Sequence, residues 1–532
     1  MVTAPPSTVP PARRVPAWAW AALLLAVGFV HVRGIASHPL VRDELRLALV
    51  AEEMIHRGDY AVPRLLGEPD ASEPPLHGWL VVLGAFGRAA RVGPLTVRLP
   101  SLVSVAATAL VLAGLGVSGA SGPHALPALV FLTFAVLPRY GRTGEPDLVA
   151  AFAATAALAA FELGRRRGSG LLQWVVAQAL VAGAVLTQAT AALFFHPPAL
   201  LTTWRRRLKL RPVALACGAV LLTAIVLTWL AAYGRSAPTR AVQAQLSAEV
   251  ARHAAATSAS DALRHVPRSL FLLWLTAAPG SLVLAALVAP RARAALRGLL
   301  ADPWVALCGF AVAWSVLWIA LLPGAQPREL IPALPLAATL VAAVLARLDR
   351  PVRALWPWAV LGAAWTALVL LGPRAALLAP PEPRAAALAA AVVGFGLLAI
   401  AGAAGVGRAF GAATACLLLA GACYGLFTAR GVDPHAAARH DSFVATAEAL
   451  APYLRPDMTV VVRKGIDRDL TWLLAHRLER PLVDRTPAPP YDLVARSSAK
   501  VANARFMFES GGYSVWRVRV PHYEHEDETG RH

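Results

Sequence analysis

LACGAVLLTAIVLTWLAAY, residues 215–233, carries no charged side chain from end to end. As a helix rising 1.5 Å per residue it reaches about 28 Å, the depth of a bilayer's hydrocarbon core. A helix on the surface of a soluble protein would show a polar face at a spacing of 3.6 residues. Here the only interruptions are small hydroxyls such as Thr223 and Thr228. The stretch LVSVAATALVLAGLG (102–116) repeats the pattern, and similar blocks recur along the chain. Of 532 residues, 57% are hydrophobic and 15% are charged, with a mean hydropathy of +0.56. Soluble domains carry roughly 25% charge. The composition excludes an ordinary soluble protein and predicts a mostly α, polytopic membrane bundle.

The apolar blocks predict about thirteen spans. They lie near 16–36, 98–116, 122–138, 147–163, 171–186, 188–203, 212–233, 269–289, 302–322, 330–346, 354–371, 386–405 and 410–428. Threading the chain through them alternately puts the dense basic clusters on one side: Arg13/Arg14, Arg165–Arg167, RRRLKLR (205–211), RARAALR (291–297), RLDRPVR (347–353) and Arg408. By the positive-inside rule that side is the cytoplasm. The net charge of +19 is therefore a topology signal, and no nucleic-acid partner is expected. The Pro-rich start with Arg13 and Arg14 precedes an apolar block without a small-residue cleavage site, as in an uncleaved signal anchor. Cys217, Cys308, Cys416 and Cys423 all fall inside apolar blocks, as small core residues rather than a metal or disulfide framework.

The predicted organisation is a transmembrane domain over 1–428, including an outer loop at 37–97, and a small extracytoplasmic α/β domain over 429–532. The second part changes texture. SFVATAEALAPYL reads as helix, MTVVVR and YSVWRVRV read as strands, and the polar tail YEHEDETGRH reads as disordered. It shows no Gly-rich phosphate loop and no catalytic constellation.

The acids concentrate in the first loop, HPLVRDELRLALVAEEMIHRGDY (38–60). DELRLALVAEEMIHR is expected to form a helix on the membrane surface, with Leu45, Leu49 and Met54 toward the bilayer and Glu52 and Glu53 on a solvated face. Asp43, directly after the first span, then lies close to the membrane.

The run DELRLALVAEEMIHRGDYAVPRLLGEPDASEPPLHGWL resembles the first external loop of GT-C-type membrane glycosyltransferases. It is most similar to lipid A aminoarabinose transferases and protein O-mannosyltransferase relatives. Asp43, Glu44, Arg46, Ala48, Glu53, Met54, Gly58, Asp59, Pro63, Pro74, Pro75, Leu76 and Trp79 match that family's pattern in order. Further echoes are RLPS (98–101), GRTGEPD (141–147) and PRELIPALP (327–335). The resemblance implies that Asp43 is the catalytic base, with Glu44 beside it, and that a second acid lies in the outer loop before the fourth helix. That acid is Asp147, with Glu145 as the alternative, although Asp147 could instead cap the helix. Transfer from a polyprenyl phosphate needs a carboxylate to take the acceptor's proton and cations to hold the leaving phosphate. Arg46, three residues from Asp43 on the same helical face, has the planar fork for a phosphate. Arg139, Arg142, Arg235, Arg264, Arg268 and Arg328 lie at outer span edges, against the positive-inside bias. With Glu73, the expected donor-binding set is Glu44, Arg46, Arg142, Arg268 and Arg328.

Three positions depart from the family. SEPPL places Ser72 and Glu73 where an acid and a lysine are expected, TQAT places Gln188 where a lysine turn is expected, and Glu329 replaces a tyrosine. Relatives can hold a metal at a histidine comparable to His265, but the transfer implied here needs no cofactor and no metal. The expected partners are membrane lipids, a polyprenyl-phosphate sugar donor and an acceptor the sequence does not name. The expected location is the cytoplasmic (inner) membrane. The alternatives are a transporter of lipid-linked substrates and an inactive glycosyltransferase relative. A transporter should carry acids deep in its spans and repeat symmetry, and neither is visible in the sequence.

Overall fold

A computed structural model describes residues 43–70, 73–115, 126–132, 136–141, 143–209, 211–236, 298–321, 327–345, 434–455, 457–463, 468–478, 491–497 and 504–518, with a few isolated positions besides. In chain order the elements begin with helix α1 (Asp43–Arg57), the hairpin strands β1 (Arg64–Leu65) and β2 (Glu68–Pro69), α2 (Leu76–Gly84), α3 (Pro94–Leu115), α4 (Leu126–Leu132) and α5 (Leu137–Tyr140). Next come α6 (Asp147–Arg167), a π-helical turn (Leu171–Val176) running into α7 (Ala177–Val185), α8 (His196–Arg205), α9 (Pro212–Ser236) and α10 (Pro303–Leu321). A 3-10 segment (Pro327–Ala333) leads into α11 (Leu334–Leu345). Last are α12 (Pro434–Leu450), β3 (Thr459–Val462), α13 (Arg468–Leu478), β4 (Tyr491–Arg496), β5 (Ala504–Ser510) and β6 (Tyr513–Val518).

The chain is a mostly helical, multi-pass membrane protein. Five helices among the described residues are long and apolar enough to cross a bilayer: Pro94–Leu115, Asp147–Arg167, Pro212–Arg235, Pro303–Ala320 and Arg328–Leu345. The spans expected at 354–371, 386–405 and 410–428 lie outside the described residues, as do 16–34 of the first span and most of 269–289. Two expected spans are broken. The one at 122–138 divides into α4 and α5, with Pro138 in the first turn of the second helix, where its missing N–H costs no bond within that helix. The one at 188–203 becomes a 3-10 turn (Ala189–Phe194) followed by α8, whose prolines at the first positions suit the start of a new helix.

The fold packs as two units. The membrane unit comprises residues 1–38, 71–77 and 98–432. In it α6 lies against α7, and the helices approach closely where side chains are absent. A Cβ at Gly164 would overlap the backbone of Gln173, and one at Gly218 would come within 2.6 Å of the Trp174 carbonyl. Close approach of this kind drives helix association where the surrounding lipid is as apolar as the helices. Phe161, Trp174 and Phe195 meet edge-on in the interior.

The mixed unit comprises residues 39–70, 78–97 and 433–532. Its four strands run in the order β3-β4-β6-β5, with β3 and β4 parallel and the other pairs antiparallel. Helix α13 makes the crossover that a parallel pair requires. MTVVVR and YSVWRVRV contain β3 and β6 as expected. At the directly paired positions Asp492 and Arg517, the guanidinium Nε donates to the buried carboxylate at 2.9 Å. The first loop shares a core with this sheet: Leu45, Ala48, Leu49, Val81 and Ala85 pack with Leu470, Leu474, Val494 and Val515. The sequence had placed that loop with the membrane domain and the C-terminal region apart from it.

This packing corrects the reading of α1. Leu45, Leu49 and Met54 are 0%, 4% and 1% exposed, so they face protein rather than bilayer. Glu52 and Glu53 are not on a solvated face. Both are buried, and Glu52 Oε1 takes a 2.8 Å hydrogen bond from His476 Nδ1 of α13.

Candidate functional site

The motif of the first loop builds a rigid turn in the mixed unit. Gly58, at φ +65°, ends α1 in the left-handed conformation that favours glycine. Asp59 then accepts hydrogen bonds from the N–H groups of Ala61 (3.2 Å) and Val62 (3.4 Å). The β1–β2 hairpin turns on Leu66 (φ +55°) and Gly67 (φ +86°), the paired positive angles of a tight two-residue loop. Glu53 pins it, its two oxygens accepting from Gly67 N–H at 2.9 and 3.1 Å while Arg57 pairs with it from the next turn. The indole N–H of Trp79 donates to the Tyr60 carbonyl at 2.6 Å. Much of the matching series therefore shapes the loop.

Burial raises the Glu53 carboxyl above the ordinary glutamate pKa, against the opposing pull of the Gly67 N–H and Arg57. The folded state thus takes up this proton before the unfolded chain does. The stability tied to Glu53 should rise as pH falls through the raised pKa toward the ordinary value, and level off below it. Glu53→Gln should flatten that slope, which thermal unfolding across mildly acidic pH would show.

Asp43 opens α1, half-buried, with Glu44 buried beside it in the first turn. The positive end of the helix dipole favours acids there. Arg46, one turn on, is buried, and its Nη1 donates to Asp70 Oδ2 at 2.7 Å. Asp70 is delivered by the hairpin, whose closure is marked by its own N–H donating to the Pro63 carbonyl at 2.8 Å. Reading by sequence missed Asp70 as the partner of Arg46. The signal available was its place at the end of GEPD, directly after the hairpin's turn.

In the membrane unit the scattered echoes converge. Asp147 is the first residue of α6 and is 4% exposed. It is not the cap, because Pro146 occupies that position and its carbonyl takes the N–H groups of Val149 and Ala150. The charges of Glu145, Arg328 and Glu73 all act on Asp147. Ser101 of RLPS donates its hydroxyl to the Glu145 carbonyl at 2.8 Å. The 3-10 segment carrying Arg328 packs on α6. Leu76 of SEPPL donates its N–H to the Leu186 carbonyl at 2.9 Å, next to the Thr187–Gln188 turn. Glu73, Glu145, Asp147 and Arg328 thus form one charged cluster at the mouth of an apolar helix. Arg98, buried at the start of α3, donates to the Ile35 carbonyl at 2.6 Å.

The remaining candidates fall elsewhere. Asp43, Glu44 and Arg46 belong to the mixed unit. Arg142, Arg264, Arg268 and His265 lie outside the described residues, as does the side chain of Arg139. Arg235 is exposed at the end of α9.

No family model and no curated protein matches the sequence. Solved structures do. ArnT from Cupriavidus metallidurans bound to undecaprenyl phosphate superposes with a TM-score of 0.69 at 18% identity, over 94% of this chain and 98% of that one. The chain has a GT-C-type fold. The apo form of the same ArnT gives a TM-score of 0.66 over the same shares. The archaeal oligosaccharyltransferase AglB from Archaeoglobus fulgidus aligns more weakly, at a TM-score of 0.44 and 12% identity. The family resemblance read from the loop motif therefore holds at the level of fold.

Proposed function

We propose that this GT-C-type protein is a glycosyltransferase that moves a sugar from a polyprenyl-phosphate carrier to a lipid, an envelope glycan or a protein at the outer face of the cytoplasmic membrane. The observation that carries the proposal is the cluster of Glu73, Glu145 and Asp147 with Arg328, at the end of an apolar helix in a fold shared with an undecaprenyl-phosphate-bound protein. Asp147 is buried, and a buried ionisable group at the end of an apolar helix is costly and marks function.

In this reading an acceptor oxygen attacks the sugar's anomeric carbon as the bond from that carbon to the phosphate oxygen breaks. Asp43 takes the acceptor's proton, and the polyprenyl phosphate leaves with the bonding electron pair. Asp147 serves as the second acid, holding the acceptor or the sugar. Arg328, with Arg142 and Arg268, supplies positive charge as the phosphate becomes a leaving group. Glu73 stands where relatives carry a lysine, so it contributes no cation and instead suits an amino or hydroxyl group of the substrate.

Arg328 provides the test. Arg328→Ala should lower transfer by on the order of a hundredfold, as loss of one preorganised electrostatic partner does. Arg328→Lys should recover part of it, because a point charge replaces a bidentate fork. Unchanged donor consumption in Arg328→Ala would remove this arginine from the site.

A further inference from the structure

Helix α2 is apolar on both faces. Gly78 and Val81, with Ala85 just past the helix's end, form the inner one: Val81 and Ala85 are 0% exposed, and a Cβ at Gly78 would press on Met54 at 3.1 Å. Trp79 and Leu83, four residues apart, lie on another side of the helix, and Phe86, at φ +52° in the turn just after it, adds a third large apolar side chain. Leu83 is 70% and Phe86 77% exposed, and Leu95, after the next turn, is 48% exposed. A helix that is apolar all round is at home only where both sides meet apolar matter. An exposed cluster of large apolar side chains marks an interaction surface.

Two features identify what that surface meets. The first is continuity: Leu95 sits in the first turn of Pro94–Leu115, one of the helices long and apolar enough to cross the bilayer, so chain connectivity holds the patch within a few residues of a membrane entry point. The second is charge. Arg88 and Arg91 flank the patch and are exposed, and Arg91 lies over the Phe86 ring at 5.8 Å. No acid occurs anywhere between Glu73 and Glu145. Large apolar groups beside arginines whose stems can lie along apolar surface are the composition of an interfacial anchor.

We propose that the Trp79–Leu83–Phe86–Leu95 face seats the mixed unit on the lipid surface, and that Arg88 and Arg91 bind the head groups of anionic phospholipids. The sequence assigned the bilayer contact to Leu45, Leu49 and Met54 of α1. The structure buries those side chains and leaves the α2 face open instead.

The test is spin labelling at residues 83 and 86, with residue 68 of the same unit as the aqueous control. The background is a chain with all four native cysteines changed to alanine, reconstituted in phosphatidylcholine vesicles with and without phosphatidylglycerol. At 83 and 86, collisions with oxygen should exceed those with a water-soluble nickel chelate, and at 68 the order should reverse. Phosphatidylglycerol should deepen both labels, and Arg88→Gln with Arg91→Gln should abolish that increment. Dominant collisions with the chelate, or protection from both reagents as under a protein cover, would overturn the proposal. Depth that is insensitive to phosphatidylglycerol would overturn its head-group part. Should the cysteine-free chain misfold, photoactivatable phosphatidylglycerol on the unaltered protein should crosslink within residues 80–95, and no crosslink there would count against the seat. Neither readout depends on sugar transfer.

Discussion

Asp43→Asn is expected to lower sugar transfer by on the order of a hundredfold or more, because asparagine keeps the shape of the side chain but cannot accept the acceptor's proton. The fold should tolerate the change. Helix α1 is anchored well away from its first residue, by Leu45, Ala48 and Leu49 in the core and by the 2.8 Å bond between Glu52 and His476. Removing one acid from the first turn forfeits about 0.3–1 kcal/mol of favourable dipole interaction. Turnover should therefore collapse while the unfolding transition shifts only slightly. An Asp43→Asn protein that turns over at the wild-type rate would strip Asp43 of the role of base, and Asp147 would be the next candidate.

Arg46→Ala should act first on stability. It removes the guanidinium that pairs with Asp70, and breaking a buried pair in this way costs about 3–5 kcal/mol. The two side chains are only 10% and 9% exposed, so solvent offers little relief. Asp70→Asn should destabilise in the same direction. The double change Arg46→Met with Asp70→Leu should recover most of the loss, since apolar replacement of a whole buried pair is often neutral. The donor-clamp role leaves a different pattern. If Arg46 grips the phosphate, Arg46→Ala raises the KM for donor while Asp70→Asn leaves it unchanged. Denaturant unfolding and donor titration on the same three variants separate the two roles.

The helical skeleton was legible because membrane spans are written in uninterrupted composition, which needs no knowledge of neighbours. α3, α6, α9 and α10 follow their apolar blocks closely. α1 was legible as a helix from its local pattern, but which face it buries was not. The partners that decide this are far along the chain: His476 for Glu52, and the α13 side chains Leu470 and Leu474 for the core against Leu45 and Leu49. An acidic side chain reads as solvated until its donor is known. The same holds for Arg46, whose phosphate-like partner is a carboxylate 24 residues on. β4 and β5 passed unread because YDLVAR and ARFMFES lack clean alternation, and their pairing with β6 is what makes them strands. The cluster around Asp147 was visible only as separate echoes, in RLPS, GRTGEPD, SEPPL and PRELIPALP. Folding places them together.

The proposed reaction breaks the anomeric bond of a lipid-linked sugar. The most direct measurement follows free polyprenyl phosphate in vesicles that hold the purified protein and a polyprenyl-phosphate-linked sugar fraction from bacterial membranes. Wild type should release polyprenyl phosphate in step with loss of the donor, and Asp43→Asn and Asp147→Asn should release almost none. A donor that moves between leaflets with its sugar still attached, at equal rates in wild type and both variants, would contradict sugar transfer and make the protein a carrier.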